Sequence, residues 1–185
     1  MDFSIDYYGW NQTGPFPKVS GSINADGQQL NIRFDVCESN LRAVHSVHNE
    51  MVCEDSCVEF FFAPYSFDPR YINIEVNPIG TVFASIGEGR HDRTLLTDEQ
   101  ICELGVRTTV DRSKIASYWT AQFMVPYSLI SELFGLESVQ QVTKIRCNFY
   151  KCGDLLPKPH WGSWKPVDTE QPDFHRSEFF CEVVL

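Results

Sequence analysis

Leu30-Asn31-Ile32-Arg33-Phe34-Asp35-Val36, Cys57-Val58-Glu59-Phe60-Phe61-Phe62-Ala63 and Tyr71-Ile72-Asn73-Ile74-Glu75-Val76-Asn77 share one property. In each, every second side chain is large and apolar, which is the period of a β-strand with one buried face. The alternate positions carry Asn31, Arg33 and Asp35, then Glu59, then Asn73, Glu75 and Asn77. A sheet with such a second face keeps it wet or keeps it for a ligand. The three stretches therefore predict a sheet with one core face and one polar face.

The same reading extends outward. Val19 to Ile23 reads as a short strand before the turn Ala25-Asp26-Gly27, and 81 to 86 as the partner of 71 to 77 across Asn77-Pro78-Ile79-Gly80. Tyr118 to Val125, Thr143 to Tyr150 and Glu178 to Leu185 alternate again, while Val106 to Val110 and Thr97 to Leu104 read as a further strand and a helical turn. Pro126 opens and Gly135 closes a short helix carrying Leu129, Ile130, Leu133 and Phe134. The expectation is an all-β fold, a β-sandwich of two mostly antiparallel sheets with one short helix. Residues 1 to 14, rich in Gly, Tyr and Trp, read as an arm laid on a single domain spanning 15 to 185.

Composition narrows the partners. A formal charge of -10, from 15 basic against 25 acidic residues, disfavours nucleic acid, whose phosphates demand the opposite balance. No run approaches the roughly 18 apolar residues of a membrane helix, and the N-terminus reads as no signal peptide. Seven cysteines without a framework spacing read mostly as reduced core thiols, so a cytoplasmic, reducing compartment is expected. Cys53-x3-Cys57 and Cys147-x4-Cys152 lack the paired spacing of a structural zinc site, which disfavours zinc. The acids of the 50 to 55 loop leave calcium as a candidate ion with no regular ligand spacing.

The candidate chemistry lies on the polar face and in the loops beside it. Arg33, Asp35, Glu59, Asn73, Glu75, Asn77, Lys144, Arg146, Asn148 and Tyr150 would form a lattice of charges and amides if their strands share a sheet. Such a lattice can donate and accept paired hydrogen bonds to sugar hydroxyls. It can equally be a solvated face held by cross-strand ion pairs. Two indoles, Trp161 and Trp164, stand in a loop with Gly162 and nearby prolines, where no core period accounts for both; they could stack on a pyranose or cap the end of the core. The long polar loop from 38 to 56 has the length of a functional loop. Glu59 and Glu75 would be the carboxylate pair of a glycan-processing enzyme, and aromatics buried against a partner would make an interaction domain.

Three ordered motifs then resemble a known family. The strand 30 to 36, Asp55-Ser56-Cys57-Val58-Glu59-Phe60-Phe61-Phe62, and Tyr71-Ile72-Asn73-Ile74-Glu75-Val76-Asn77-Pro78-Ile79-Gly80 are similar to the pattern of the family 9 carbohydrate-binding modules, as is the tail from Trp164 to Phe180. The resemblance covers roughly 15 to 185. It implies a β-sandwich that binds sugars without cleaving them, clamping a terminal unit between two tryptophans over polar residues, with structural calcium. By motif it places Glu75 and Asn77 next to the site and Trp161 or Trp164 as one aromatic wall. It puts the other wall in the loop before the Asp-Ser strand, where this chain has Arg42, His45, His48 and Asn49 and no aromatic ring. The resulting expectation is a carbohydrate site on a polar sheet face, rimmed by Arg42, Arg90, His91, Tyr150, His160, Trp161 and Trp164.

Overall fold

The computed structural model describes residues 1–113 and 116–185. Two antiparallel sheets form the sandwich. The first has the order β1-β2-β3-β9-β8, from Asp2–Ile5, Lys18–Ala25, Gln29–Glu38, Ser117–Pro126 and Arg107–Asp111. The second has the order β11-β10-β4-β5-β6-β7, from Trp161–Ser163, Lys144–Cys152, Cys57–Ala63, Tyr71–Val76, Val82–Gly89 and Asp92–Leu95, and β12 (Cys181–Val184) pairs the other half of β10. Two short helices, α1 (Asp98–Glu103) and α2 (Tyr127–Leu133), both contact β9, and Gln100 of the first donates to Glu132 of the second. Thr97 and Gln100 form a reciprocal capping box for α1, and Gly135, at φ +68°, ends α2 in the left-handed conformation that glycine adopts without penalty. Among the described residues no helix is long and apolar enough to cross a membrane.

The alternating apolar rows meet between the sheets. Phe34 of β3, Phe60 of β4 and Phe149 of β10 are all buried there, and Phe149 stacks at 3.8 Å on Phe3 of β1 and at 5.1 Å on Phe60. The inward rows of β3 and β10 end on Glu38 and Lys151, whose carboxylate and ammonium lie 3.3 Å apart in the interior. Trp119 of β9 donates its indole N–H to Glu38 Oε1 at 2.6 Å, while Lys151 faces the other carboxylate oxygen. The segment expected as an arm begins as a sheet strand, because Phe3 and Ile5 alternate into this core. Between β1 and β2 the chain from Asp6 to Pro17 is irregular apart from a bridge of Tyr7 to Ser163.

The outward face of the second sheet is not wet. A second apolar cluster lies on it, in which Phe61, Tyr71 and Tyr150 of the sheet pack against Val167, Phe174 and Phe180 of the chain after β11. The polar side chains of β10 hold this cover down. Asn148 exchanges two hydrogen bonds with the Lys165 backbone, Tyr150 Oη donates to Phe174 O and Arg146 Nη2 donates to Ser177 O. The bonds of Asn148 and Tyr150 are spent on backbone groups beneath the cover, while the Arg146 bond is exposed at its edge. Arg33 and Asp35, grouped with them in the sequence reading, pair with each other on the first sheet and do not share this face. A period of two assigns a side of the strand and leaves the identity of the sheet open.

The loop from 39 to 56 is fastened by one buried carboxylate. Asp55 Oδ2 accepts from the backbone N–H of Val44 and of His45 and from Asn77 Nδ2, and Asp55 Oδ1 lies 3.3 Å from Arg42 Nε. Asn77 also donates to His45 O and accepts from Ile79 and Thr81 N–H, which closes the hairpin turn at Gly80, φ +85°. Glu50 accepts from Ser46 and Val47 N–H, and Glu54 bonds His45. Among the described residues the acids of this loop, considered for calcium from the sequence, face nitrogen groups, Glu50 and Glu54 both reaching His45, and none of them belongs to a close cluster of three metal-ligating side chains.

Two stability measurements check this account. Phe149→Ala is expected to lower the free energy of unfolding by about 3–5 kcal/mol in a denaturant titration, as a fully buried aromatic shared by both sheets. Asn77→Ala should cost about 1–3 kcal/mol by leaving Asp55 and the hairpin turn short of partners. A change near zero at either position would contradict the role given to it.

Candidate functional site

Where the C-terminal cover and the loop after β10 part, they leave a cavity of about 400 Å³ over the outward face of the second sheet. Its floor is Glu59 of β4 and Glu75 of β5, direct cross-strand partners, with Cys152 of β10 beside them. One wall holds Arg90, from the turn after β6, and Arg93 of β7. The opposite wall holds Trp161, at the start of β11, with Asp154 below it. Phe83, Phe174 and Met51 supply apolar surface.

Trp161 is pinned on three sides while its ring stays half-buried. Its indole N–H donates to Asp154 Oδ1 at 2.8 Å, and Gln12 grips its backbone in both directions, accepting from Trp161 N–H at 2.8 Å and donating to Trp161 O at 2.9 Å. Asp154 is itself tied to the turn before β4, its N–H donating to Cys53 O. A ring held this way loses little conformational freedom when a ligand stacks on it.

The floor and the far wall differ in charge. Burial, then the neighbouring Glu75, raises the Glu59 carboxyl well above the ordinary range, and burial raises Glu75 to about 7. Cys152 Sγ donates to Glu59 Oε1 at 2.8 Å, and Asn73 Nδ2 donates to Glu75 Oε1 at 3.0 Å, so both carboxyls are oriented from below. On the far wall Arg90 pairs with Asp173 at 3.1 Å. Arg93 Nη1 donates to His175 Nε2 at 3.2 Å, which leaves Nδ1 to carry the proton donated to Tyr71 Oη at 2.7 Å. Burial and the adjacent Arg93 push His175 down to about 3, so the imidazole is neutral at pH 7.

Of the rim and site residues expected from the sequence, Glu75, Arg90 and Trp161 meet here, joined by Glu59 of the expected polar lattice. The others do not line the cavity. Arg42 braces Asp55 and the Glu54 carbonyl, and Asn77 is the buried turn residue described above. Tyr150 lies fully buried beneath, stacked at 4.1 Å on Phe174, and His91 is exposed outside the cavity. His160 is buried between Lys151 Nζ and Lys158 O. Trp164 packs edge-on against Phe149 at 5.6 Å and, with Asp2, Tyr7 and Lys165, lines a separate depression. From the loop where the resemblance implied a second tryptophan, the cavity receives Met51 and Cys53. A larger groove of about 770 Å³, between Tyr8, Phe16 and Val110, includes Asp35 of the expected lattice and none of the expected rim residues.

Arg93, Asp154, Asp173, Phe174, His175 and Gln12 are not among the expected rim residues; Asp173, Phe174 and His175 fall in the Trp164 to Phe180 tail that carries the resemblance.

No curated protein matches this sequence. Among solved structures, one from Bacteroides uniformis ATCC 8492, a protein presumed to bind carbohydrate, shares 30% identity over 100% of this chain and 85% of its own, with a TM-score of 0.86. A family 9 carbohydrate-binding module from Caldicellulosiruptor kristjanssonii, in complex with cellotriose, has a TM-score of 0.58 at 11% identity over 100% of this chain and 81% of its own. The same organism's module with glucose gives 0.55 at 11% identity, over 97% and 83%. At that identity the two modules speak for the sandwich fold alone. The family model for carbohydrate-binding family 9 matches residues 2–185, and with the 30% identical relative it shows that the chain belongs to that family.

Proposed function

We propose that this protein binds the end of a small glycan, without cleaving it, in the cavity between Trp161 and the arginine wall. The observation that carries the reading is the pinned, half-exposed Trp161 indole standing over an oriented carboxylate floor. A pyranose presents an apolar C–H face and an edge of paired hydroxyls. The indole suits the first, and Glu75, Arg90 and Arg93 suit the second, since charged groups make the stronger hydrogen bonds. A cavity of about 400 Å³ is in the lower range for small-molecule sites. The cellotriose and glucose held by the Caldicellulosiruptor modules make those two sugars the first ligands to try.

The non-catalytic reading rests on the placement of the acids. Glycoside hydrolysis requires two carboxyls that flank the scissile bond. Glu59 and Glu75 lie side by side on one sheet face, beneath a ligand in this cavity. Each already receives a hydrogen bond from a sheet neighbour.

Calorimetric titration with glucose, cellotriose and a panel of other short glycans tests the proposal. Saturable heat is expected with at least one of them, weakened roughly tenfold or more by Trp161→Ala and by Glu75→Gln and unchanged by Trp164→Ala. No heat with any sugar, or binding that depends on Trp164 and not Trp161, would overturn it.

A further inference from the structure

Below the cavity, residues from distant parts of the chain bring soft and hard metal ligands to one point. Cys57 and Cys152 are direct cross-strand partners on β4 and β10, and Glu59 follows two residues along β4 on the same face. One sulfur from each cysteine and one carboxylate oxygen of Glu59 all lie within 4.8 Å of one another, and all three residues are buried. Cys53 lines the cavity above them, and its carbonyl accepts from Cys152 Sγ at 3.5 Å. Neither local cysteine spacing contains this set, because the pairing of β4 with β10 creates it.

The cluster is rich in groups that become anionic and poor in positive charge. Glu75 faces Glu59 across the strand pair. Among the described residues no lysine or arginine makes an ion pair with Glu59: Lys151 turns inward to Glu38, and Arg90 pairs with Asp173. Arg93 is engaged with His175.

We propose that Cys57, Cys152 and Glu59 form a binding site for a thiophilic divalent ion of the zinc class, with the fourth position opening toward the cavity. Two sulfurs and one oxygen match the ligand preference of zinc, whereas calcium and magnesium require oxygen shells. A tetrahedral ion with Zn–S near 2.3 Å and Zn–O near 2.1 Å fits among atoms this close after small side-chain rotations. As the ion enters, the Cys57 and Cys152 thiols lose their protons to solvent, with the Glu59 proton when it is present, and the thiolates bind as anions. The site goes beyond the sugar reading and does not depend on it.

Cobalt(II) added to the reduced, metal-free protein tests the assignment. One equivalent is expected to produce thiolate-to-metal charge-transfer absorption and intense tetrahedral visible bands that zinc abolishes. Cys152→Ser and Glu59→Gln should weaken binding more than about 100-fold, because even indirect partners of a metal ligand are worth 10–100-fold. Cys102→Ser, an exposed thiol elsewhere, should bind as the wild type does. X-ray absorption of the wild-type zinc complex should count at least two sulfur neighbours, a readout that holds even where a variant fails to fold. Absent charge transfer, a zinc shell without sulfur, or undiminished binding by both variants would overturn the site.

Discussion

The centre of the second sheet, β4 and β5, is buried on both faces, and most of what is particular to this protein follows from that constraint. A sheet covered on one side can leave its polar row in water. Here the chain after β11 lies across the outward face, so Asn148, Tyr150 and Arg146 must pair with its backbone. Nearly all of β4 is buried in consequence. The cover leaves a gap at Glu59 and Glu75, and that gap is the cavity. The proposed binding site is a place where a two-sided core was left incomplete.

Two buried charge arrangements meet this constraint in opposite ways. On the inward face Lys151 and Glu38 neutralise each other across the two sheets, with Trp119 bonding the other carboxylate oxygen. The pair ties the sheets together at the end where the apolar rows stop. On the outward face Glu59 and Glu75 have no such partner, and burial raises both carboxyls. Groups kept from ionising by their surroundings are available to a ligand that supplies hydroxyl donors or positive charge. Neutral His175 fixes Arg93 on the opposite wall without adding a charge of its own.

The strands were legible because one face of each meets the core. Cys57–Ala63 appears at the bounds its alternation gave, and the Asn77-Pro78-Ile79-Gly80 turn sits where its residues put it. What periodicity does not encode is which sheet a strand joins and what covers its second face. Arg33 and Asp35 therefore read as neighbours of Glu75 although they lie on the other sheet, and Asn77 read as a ligand group although a backbone turn and Asp55 consume it. Phe3 and Ile5 span too short a stretch to signal a strand. Gln12 and Asp154 acquire their roles only through contact with Trp161, from opposite regions of the sequence. Likewise, the thiol cluster exists only once β4 and β10 pair.

The central claim is that Trp161, alone of the two neighbouring tryptophans, faces a sugar. Indole N–H resonances in a ¹⁵N-labelled sample report on each tryptophan separately. During a glycan titration the account predicts that the Trp161 signal moves and saturates while those of Trp119 and Trp164 stay fixed. Movement of Trp164 with Trp161 unchanged would contradict it.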